Sequence, residues 1–102
     1  MMQKISVIFS FFNEESCIDE AIDEVSKVLD NINNLDYELI FVNDCSVDGS
    51  LEKLIEKSKN NQKIKIINMS RRFGHMPCVL AGLKNSTGDA VIHMDIDLQD
   101  PP

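Results

Sequence analysis

Four short apolar segments alternate with three segments of helical periodicity, and this alternation restricts the fold of the chain more than any other feature. The apolar segments are residues 4–12, 37–43, 64–69 and 90–95. They are rich in β-branched and aromatic side chains, which is typical of strands buried on both faces. After the first of them, apolar residues recur at steps of three and four through residues 18–32, as on one face of a helix.

The other two helical segments each follow a polar turn. One runs to about Lys59, and the other has Pro77 in its first turn, where a missing N–H is tolerated, and runs to about Asn85. The predicted order is therefore β-α-β-α-β-α-β. Because such crossovers are right-handed, the order predicts a Rossmann-like α/β fold, a parallel sheet with flanking helices. A chain of 102 residues can bury one core but not two, so we expect one domain or part of one.

Composition excludes some classes of function. With 10 Lys and Arg against 17 Asp and Glu, the net charge is −7, which disfavours a nucleic-acid partner because phosphate binding requires clustered cations. The three cysteines, Cys17, Cys45 and Cys78, have no zinc-site spacing and fit a reduced, cytoplasmic protein. The first apolar segment is far too short to cross a membrane.

Polar side chains of types that bind ligands or catalyse reactions follow the ends of the predicted strands. In open α/β sheets, ligands bind outside the carboxyl ends of the strands, and those ends meet at one edge of the sheet. A functional site is therefore expected there, formed by the residues that follow the four strands, namely Asn13 and Glu14, Asp44 and Asp48, Arg71 and Arg72, and Asp95 and Asp97.

The last of these groups has the pattern of a metal site. Alternate residues of an extended segment point to one side, so Asp95, Asp97 and Gln99 are expected to point together. Oxygen ligands of this kind suit a hard divalent cation, Mg²⁺ or Mn²⁺, which shares its coordination shell with water and substrate phosphates. An isolated D-x-D also occurs by chance, and the alternative is a solvated acidic strand end.

The other candidates also have structural alternatives. Asp44 can accept hydrogen bonds from a base or ribose, or can simply shape a turn. Arg71 and Arg72 can bind a diphosphate or remain solvated. His75 can contact phosphate or lie near a helix start, and His93, within a strand, fits a structural role. No base lies beside any cysteine to mark it as a nucleophile.

Four motifs together resemble family 2 glycosyltransferases in order and spacing, namely residues 12–15, 42–50, 70–75 and 94–102. The match covers nearly the whole chain and implies the GT-A fold, of which residues 1–102 are the nucleotide-sugar-binding portion. The D-x-D-L-Q-D-P-P form is most similar to the branch that transfers a sugar to a dolichyl or polyprenyl phosphate, as in the synthesis of cell-envelope glycans.

The resemblance implies roles for particular residues. It places Phe12 and Glu14 near the base of the nucleotide and Asp44 at the uracil or guanine-ribose end. Arg71 matches a basic residue of the third motif. The remaining positions, around the diphosphate and a Mg²⁺ or Mn²⁺ ion, are Asp95 and Asp97, with Gln99 as a further metal ligand. The implied reaction is sugar transfer with inversion, in which the metal acts as a Lewis acid on the leaving nucleoside diphosphate.

Two motifs depart from the family. The family usually has D-D-G-S after the second strand, where this chain has Asn43, Asp44, Cys45 and Ser46. Asn43 can accept a hydrogen bond but contributes no charge, and Cys45 restricts a loop that glycine would leave free. The third motif is usually R-N-F-G, and Arg72 replaces its asparagine.

The resemblance also implies how residues 1–102 relate to a larger enzyme. They correspond to the donor-binding portion, truncated after the D-x-D motif, with the acceptor region, any catalytic base and any membrane helices beyond Pro102. We expect this portion alone to be inactive and to self-associate, and the whole protein to act in the cytoplasm, on the cytoplasmic face of a membrane. The alternatives are a non-catalytic nucleotide-binding module or inactive fragment, and a phosphotransferase of the haloacid dehalogenase kind.

Overall fold

The computed structural model describes residues 3–96, except for the side chain of Asp95, so the predicted metal ligands Asp97 and Gln99 lie outside the described residues. The predicted element order is confirmed. The strands are β1 (Gln3–Phe11), β2 (Leu35–Asn43), β3 (Ile64–Asn68) and β4 (Ala90–Asp95). The helices are α1 (Ile18–Asp30), α2 (Ser50–Lys59) and α3 (His75–Lys84), and a short 3₁₀ turn, Glu15–Cys17, precedes α1.

The four strands form one parallel sheet in the order β3-β2-β1-β4. The chain adds β2 and β3 on one side of β1, and then crosses through α3 to place β4 on the other side. This reversal makes the gap between β1 and β4 a topological switch point, and crevices for ligands open at the carboxyl ends of the strands that flank such a point. The sheet thus confirms the predicted α/β fold. It also shows which edge, at the carboxyl ends of the strands, is the one where folds of this kind bind ligands.

Two apolar layers cover the two faces of the sheet. Alternate residues of β1 point to opposite faces, so Val7 and Phe9 pack under α1 and α2 while Ile8 packs under α3. Phe9 stacks on Phe41 of β2 with ring centroids 4.8 Å apart. Within residues 3–96, no helix is both long and apolar enough to cross a membrane.

The approach of α3 to the sheet is unusually close because Gly82 faces β1. A Cβ atom at Gly82 would lie 2.7 Å from Cγ2 of Ile8, well inside van der Waals contact. Any larger residue would push α3 outward, since Ile8 is fully buried and cannot move aside. Gly82 therefore sets the distance between α3 and β1 at Ile8.

A buried carboxylate, that of Glu38, holds together the end of the sheet opposite the carboxyl ends of the strands. Glu38, only 2% exposed, accepts hydrogen bonds from the hydroxyl of Ser6 at 2.5 Å and from the N–H of Thr87 at 2.7 Å, and forms an ion pair with Lys65. Burial alone raises its pKa, but Lys65, Ser6 and Thr87 outweigh burial and hold the pKa of Glu38 at about 2. Glu38 thus ties the loop before β4 to β1 and β2.

Candidate functional site

A pocket of about 370 Å³ opens at the carboxyl ends of β1 and β2, beside the start of α3. This volume is within the range typical of small-molecule sites. The pocket brings together Phe12, Glu14 and Asp44, the residues that the resemblance places at the nucleotide, with Arg72 and His75, which the sequence also offered as candidates. Its other lining residues are Ser10, Phe11, Gly74, Cys78 and Ile96.

Asp44 is the most strongly held polar group of the pocket. It is 4% exposed, and it accepts hydrogen bonds from the N–H groups of Phe73 at 2.7 Å and Gly74 at 3.0 Å. Burial alone raises its pKa, but these N–H groups, the Cys78 thiol and Arg72 together hold the pKa of Asp44 below its usual value. Asp44 is therefore an ionised acceptor that orders the loop between β3 and α3.

The thiol that donates to Asp44 is itself unreactive. Cys78 is fully buried on α3, and burial together with the negative charge of Asp44 raises the pKa of its thiol to about 11. A thiol becomes a nucleophile only as the thiolate, which is scarce at neutral pH when the pKa is so high. Cys78 thus helps to hold Asp44 in place, in agreement with the absence of any nucleophile pattern in the sequence.

The two adjacent arginines point to different neighbours. The Arg72 guanidinium carbon lies 3.6 Å from the centroid of the Phe12 ring, and Nε lies 3.4 Å from Oδ2 of Asp44. Arg71 instead lies over Phe73, 4.7 Å from that ring centroid. In the part of the pocket that the structure describes, Arg72 is the lining arginine, although the motif comparison led us to expect Arg71 there. The pattern of residues after β3 had named Arg71 and Arg72 together, without deciding which of them points into the pocket.

A serine joins both histidines at the wall of the pocket. Oγ of Ser10 lies 3.1 Å from Nδ1 of His75 and 3.3 Å from Nε2 of His93, and the two rings meet edge to face with centroids 4.8 Å apart. Because a hydroxyl carries one proton, Ser10 can donate to only one ring and must accept from the other. The sequence offered one signal for this cluster, Ser10, which is a polar residue near the carboxyl end of a mostly apolar strand.

Side chains of the first motif bind the loop of the second. Oδ1 of Asn13 accepts hydrogen bonds from the N–H groups of Val47 at 2.8 Å and Asp48 at 3.3 Å, and Oε1 of Glu15 accepts from Gly49 at 2.9 Å. Asp48 in turn accepts from the N–H of Ser50, the first residue of α2. These two polar motifs thus hold together the loops after β1 and β2, which carry Glu14 and Asp44.

Asn43, the departure from the family's first aspartate, has a structural role. It is 1% exposed, and its Oδ1 accepts the N–H of Ser46 at 3.0 Å while its Nδ2 donates to Asn68 at 2.9 Å. A carboxylate at this position could accept from Ser46 in the same way. Asn43 therefore orders the loop that begins with Asp44 and joins it to the end of β3.

Cys45 stands in a backbone conformation that favours glycine. Its φ is +60°, in the left-handed region, where a side chain costs about 1–2 kcal/mol. We expect Cys45→Gly to raise the free energy of unfolding by about 1 kcal/mol, after allowing for the greater flexibility of glycine in the unfolded chain. Urea unfolding of the two proteins measures this difference.

The matched control is Cys45→Ser, which removes the thiol and keeps the constrained backbone. It should leave the stability near that of the parent protein, since its φ remains unfavourable. Equal stabilisation by serine and glycine would show that the thiol, and not the backbone, is the unfavourable feature.

The predicted metal ligands begin where β4 ends. Asp95 is the last residue of β4 and pairs with Ser10 in the register of β1, which places its backbone beside the pocket. Across the described residues, His, Cys, Asp and Glu side chains form no group of three that could hold a metal ion.

Comparison with protein families gives one extended match. The family model described as Glycosyl transferase family 2 matches residues 6–102. An uncharacterised glycosyltransferase of Bacillus subtilis, YkcC, is 42% identical over 97 residues, which cover 95% of this chain and 30% of the relative. An uncharacterised glycosyltransferase of Synechocystis is 39% identical, over all of this chain and 32% of the relative. The chain thus spans about a third of the length of these relatives.

Solved structures share the same fold. A mannosyltransferase from Pyrobaculum calidifontis, PcManGT, in complex with GDP-Man and Mn²⁺, aligns with a TM-score of 0.81 at 22% identity and covers 95% of this chain and 28% of that one. The TarS 1–349 structure from S. aureus in complex with UDP aligns with a TM-score of 0.78 at 29% identity over 92% of this chain and 27% of that one.

Proposed function

Because the chain belongs to glycosyl transferase family 2, we propose that residues 1–102 form the donor-binding part of an inverting, metal-dependent glycosyltransferase. The donor is a nucleoside diphosphate sugar. One observation carries this proposal, the convergence of Phe12, Glu14 and Asp44 in a single pocket at the carboxyl edge of the sheet. Membership of the family also argues against the phosphotransferase alternative.

We propose that the base of the donor is uracil or guanine. The half-buried ring of Phe12 offers an aromatic face for stacking, and Asp44 offers an ionised carboxylate that can only accept hydrogen bonds. Uracil and guanine present a ring N–H to such an acceptor, whereas cytosine and adenine present a bare ring nitrogen at the corresponding position. The UDP and GDP-Man in the two related structures support this choice.

The charge of the pocket supports a requirement for a divalent cation. Its described lining contains two carboxylates, Glu14 and Asp44, and one arginine. A diphosphate entering such a site is repelled unless a cation lies between the negative groups. We propose that Mg²⁺ or Mn²⁺ is held by Asp95, Asp97 and Gln99, that Arg71 contributes positive charge near the diphosphate, and that the metal stabilises the charge of the leaving nucleoside diphosphate. The Mn²⁺ bound in the PcManGT structure is consistent with this.

The proposed acceptor is a polyprenyl phosphate on the cytoplasmic face of a membrane. The D-x-D-L-Q-D-P-P form of residues 95–102 supports this choice. A phosphate acceptor is already anionic near neutral pH, so its attack depends more on positioning and electrostatic stabilisation than on a strong base. We assign residues 1–102 to the donor side of the site, and we expect no sugar transfer by them alone.

Calorimetry with UDP and GDP tests the donor-binding proposal. We expect weak binding that Mn²⁺ strengthens, and we expect Asp97→Ala to remove at least about tenfold of the metal-dependent gain, since a first ligand of the cation is lost. Asp23→Ala is the control, because it removes an exposed carboxylate from α1, away from the pocket. Equal affinities with and without metal, or tight binding of ADP and CDP, would contradict the proposal.

A further inference from the structure

Arg72 occupies the place that the proposed function gives to the nucleobase. Its guanidinium lies on the Phe12 ring, 3.6 Å from the centroid, and its Nε points to Oδ2 of Asp44 at 3.4 Å. A planar group with N–H donors, stacked on an aromatic ring and facing a carboxylate, makes the same two contacts that uracil or guanine would make there. The side chain thus resembles a bound base in both shape and hydrogen bonding.

Arg72 lies between the Phe12 ring and the Asp44 carboxylate. The two carboxylate oxygens accept hydrogen bonds from the N–H groups of Phe73 and Gly74, and Nε of Arg72 shares Oδ2 with Gly74. A base stacked on Phe12 would need the position that the guanidinium now occupies. Such a base can therefore hydrogen-bond to Asp44 only after Arg72 has left.

Arg72 is the donor that can leave at the lowest cost. The two N–H groups belong to the backbone of the loop before α3, and Cys78 is fully buried. The side chain of Arg72, in contrast, is 57% exposed, so its guanidinium can turn into water and keep its hydration. Withdrawal of Arg72 would free one face of Phe12 and one acceptor site of Asp44 in a single movement.

We propose that Arg72 is an intramolecular competitor for the nucleobase, which must displace it from Phe12 and Asp44 in order to bind. This inference rests on the proposed function, because it requires that a base binds at those two residues. It also implies that the replacement of the family's asparagine by Arg72 affects donor binding. The short side chain of asparagine cannot cover Phe12, so this chain is expected to bind its donor more weakly than a version with the usual motif.

The test compares the affinity of UDP and GDP, each with Mn²⁺, for the parent chain, Arg72→Asn and Arg72→Ala. Loss of the competitor should tighten binding roughly threefold to tenfold in both variants, the range expected from one partly exposed cation–π contact and one weak ion pair. Lys27→Asn is the matched control, because it removes the same charge from an exposed position on α1. It should leave the affinity within twofold, which excludes an effect of net charge.

The possible outcomes separate this inference from the proposed function. Tighter binding by both Arg72 variants supports both, even if the parent chain binds too weakly to measure. Measurable binding by the parent chain with equal or weaker binding by the variants would overturn the inference alone, and would assign Arg72 to the phosphates or to the base as a partner. No binding by any of the proteins at millimolar nucleotide would instead overturn the proposed function.

Discussion

Replacing Asp44 with Ala is expected to lower the free energy of unfolding by roughly 3 kcal/mol and to abolish measurable nucleotide binding. The substitution removes the acceptor that the structure gives to the N–H groups of Phe73 and Gly74, and a donor left unsatisfied in a buried or partly buried site costs about 1–3 kcal/mol. It also removes the proposed partner of the base. Urea unfolding and calorimetry with UDP and GDP measure the two effects separately.

Two further variants help to interpret the size of this effect. Asp44→Asn keeps the shape and one oxygen but turns an amide group toward N–H donors, so it should recover about half of the lost stability. Glu24→Gln removes one negative charge from the exposed face of α1 and should change neither quantity. A loss below about 0.5 kcal/mol in Asp44→Ala would mean that water replaces the carboxylate and that Asp44 does not order the loop.

Glu38→Gln is expected to lower the free energy of unfolding by about 3 kcal/mol at pH 7, with a characteristic dependence on pH. The folded pKa of Glu38 is about 2, against 4.5 for an unperturbed glutamate. A lowered folded pKa stabilises the protein above the unfolded pKa, and that contribution disappears as the pH falls toward the folded value. The difference between parent and variant should therefore be constant above about pH 5.5 and close to zero at pH 2.

Unfolding by urea at a series of pH values measures this difference, and an exposed glutamate provides the comparison. Glu56 forms an ion pair with Lys59 at 3.6 Å, and both side chains are more than 65% exposed. Because water screens such pairs, Glu56→Gln should cost less than about 0.5 kcal/mol at every pH. A difference for Glu38→Gln that stays constant down to pH 2 would show that the substitution acts through packing and not through the charge.

The elements of this fold could be predicted closely because each depends on a local pattern. The predicted end of α2 at about Lys59 and the bounds of β4 agree with the structure, since apolar periodicity and polar turns mark them directly. The start of α3 was less clear. Pro77 in the first turn marked this start only approximately, and the structure begins the helix at His75, because Gly74 with its φ of +98° turns the chain into it.

The residues of the candidate site were predictable as a set but not in their contacts. The rule that ligands bind at the carboxyl ends of parallel strands placed Glu14 and Asp44 at one edge, and the structure lines one pocket with both. The rule does not say which of two neighbouring arginines points inward. The long side chain of Arg72 reaches Phe12 and Asp44 only because the loop before α3 is folded around the Asp44 carboxylate.

By itself, the sequence determined the α/β class, the order of the elements, the edge of the sheet where polar chemistry collects and, through its four motifs, the family. All of these follow from local periodicity and from short patterns. The tertiary structure alone decided the strand order β3-β2-β1-β4, the joining of His75 and His93 through Ser10, and the stacking of Arg72 on Phe12. Each depends on contacts between residues far apart in the chain, which form only when α3 crosses to the second face of the sheet and carries its first turn over the end of β1.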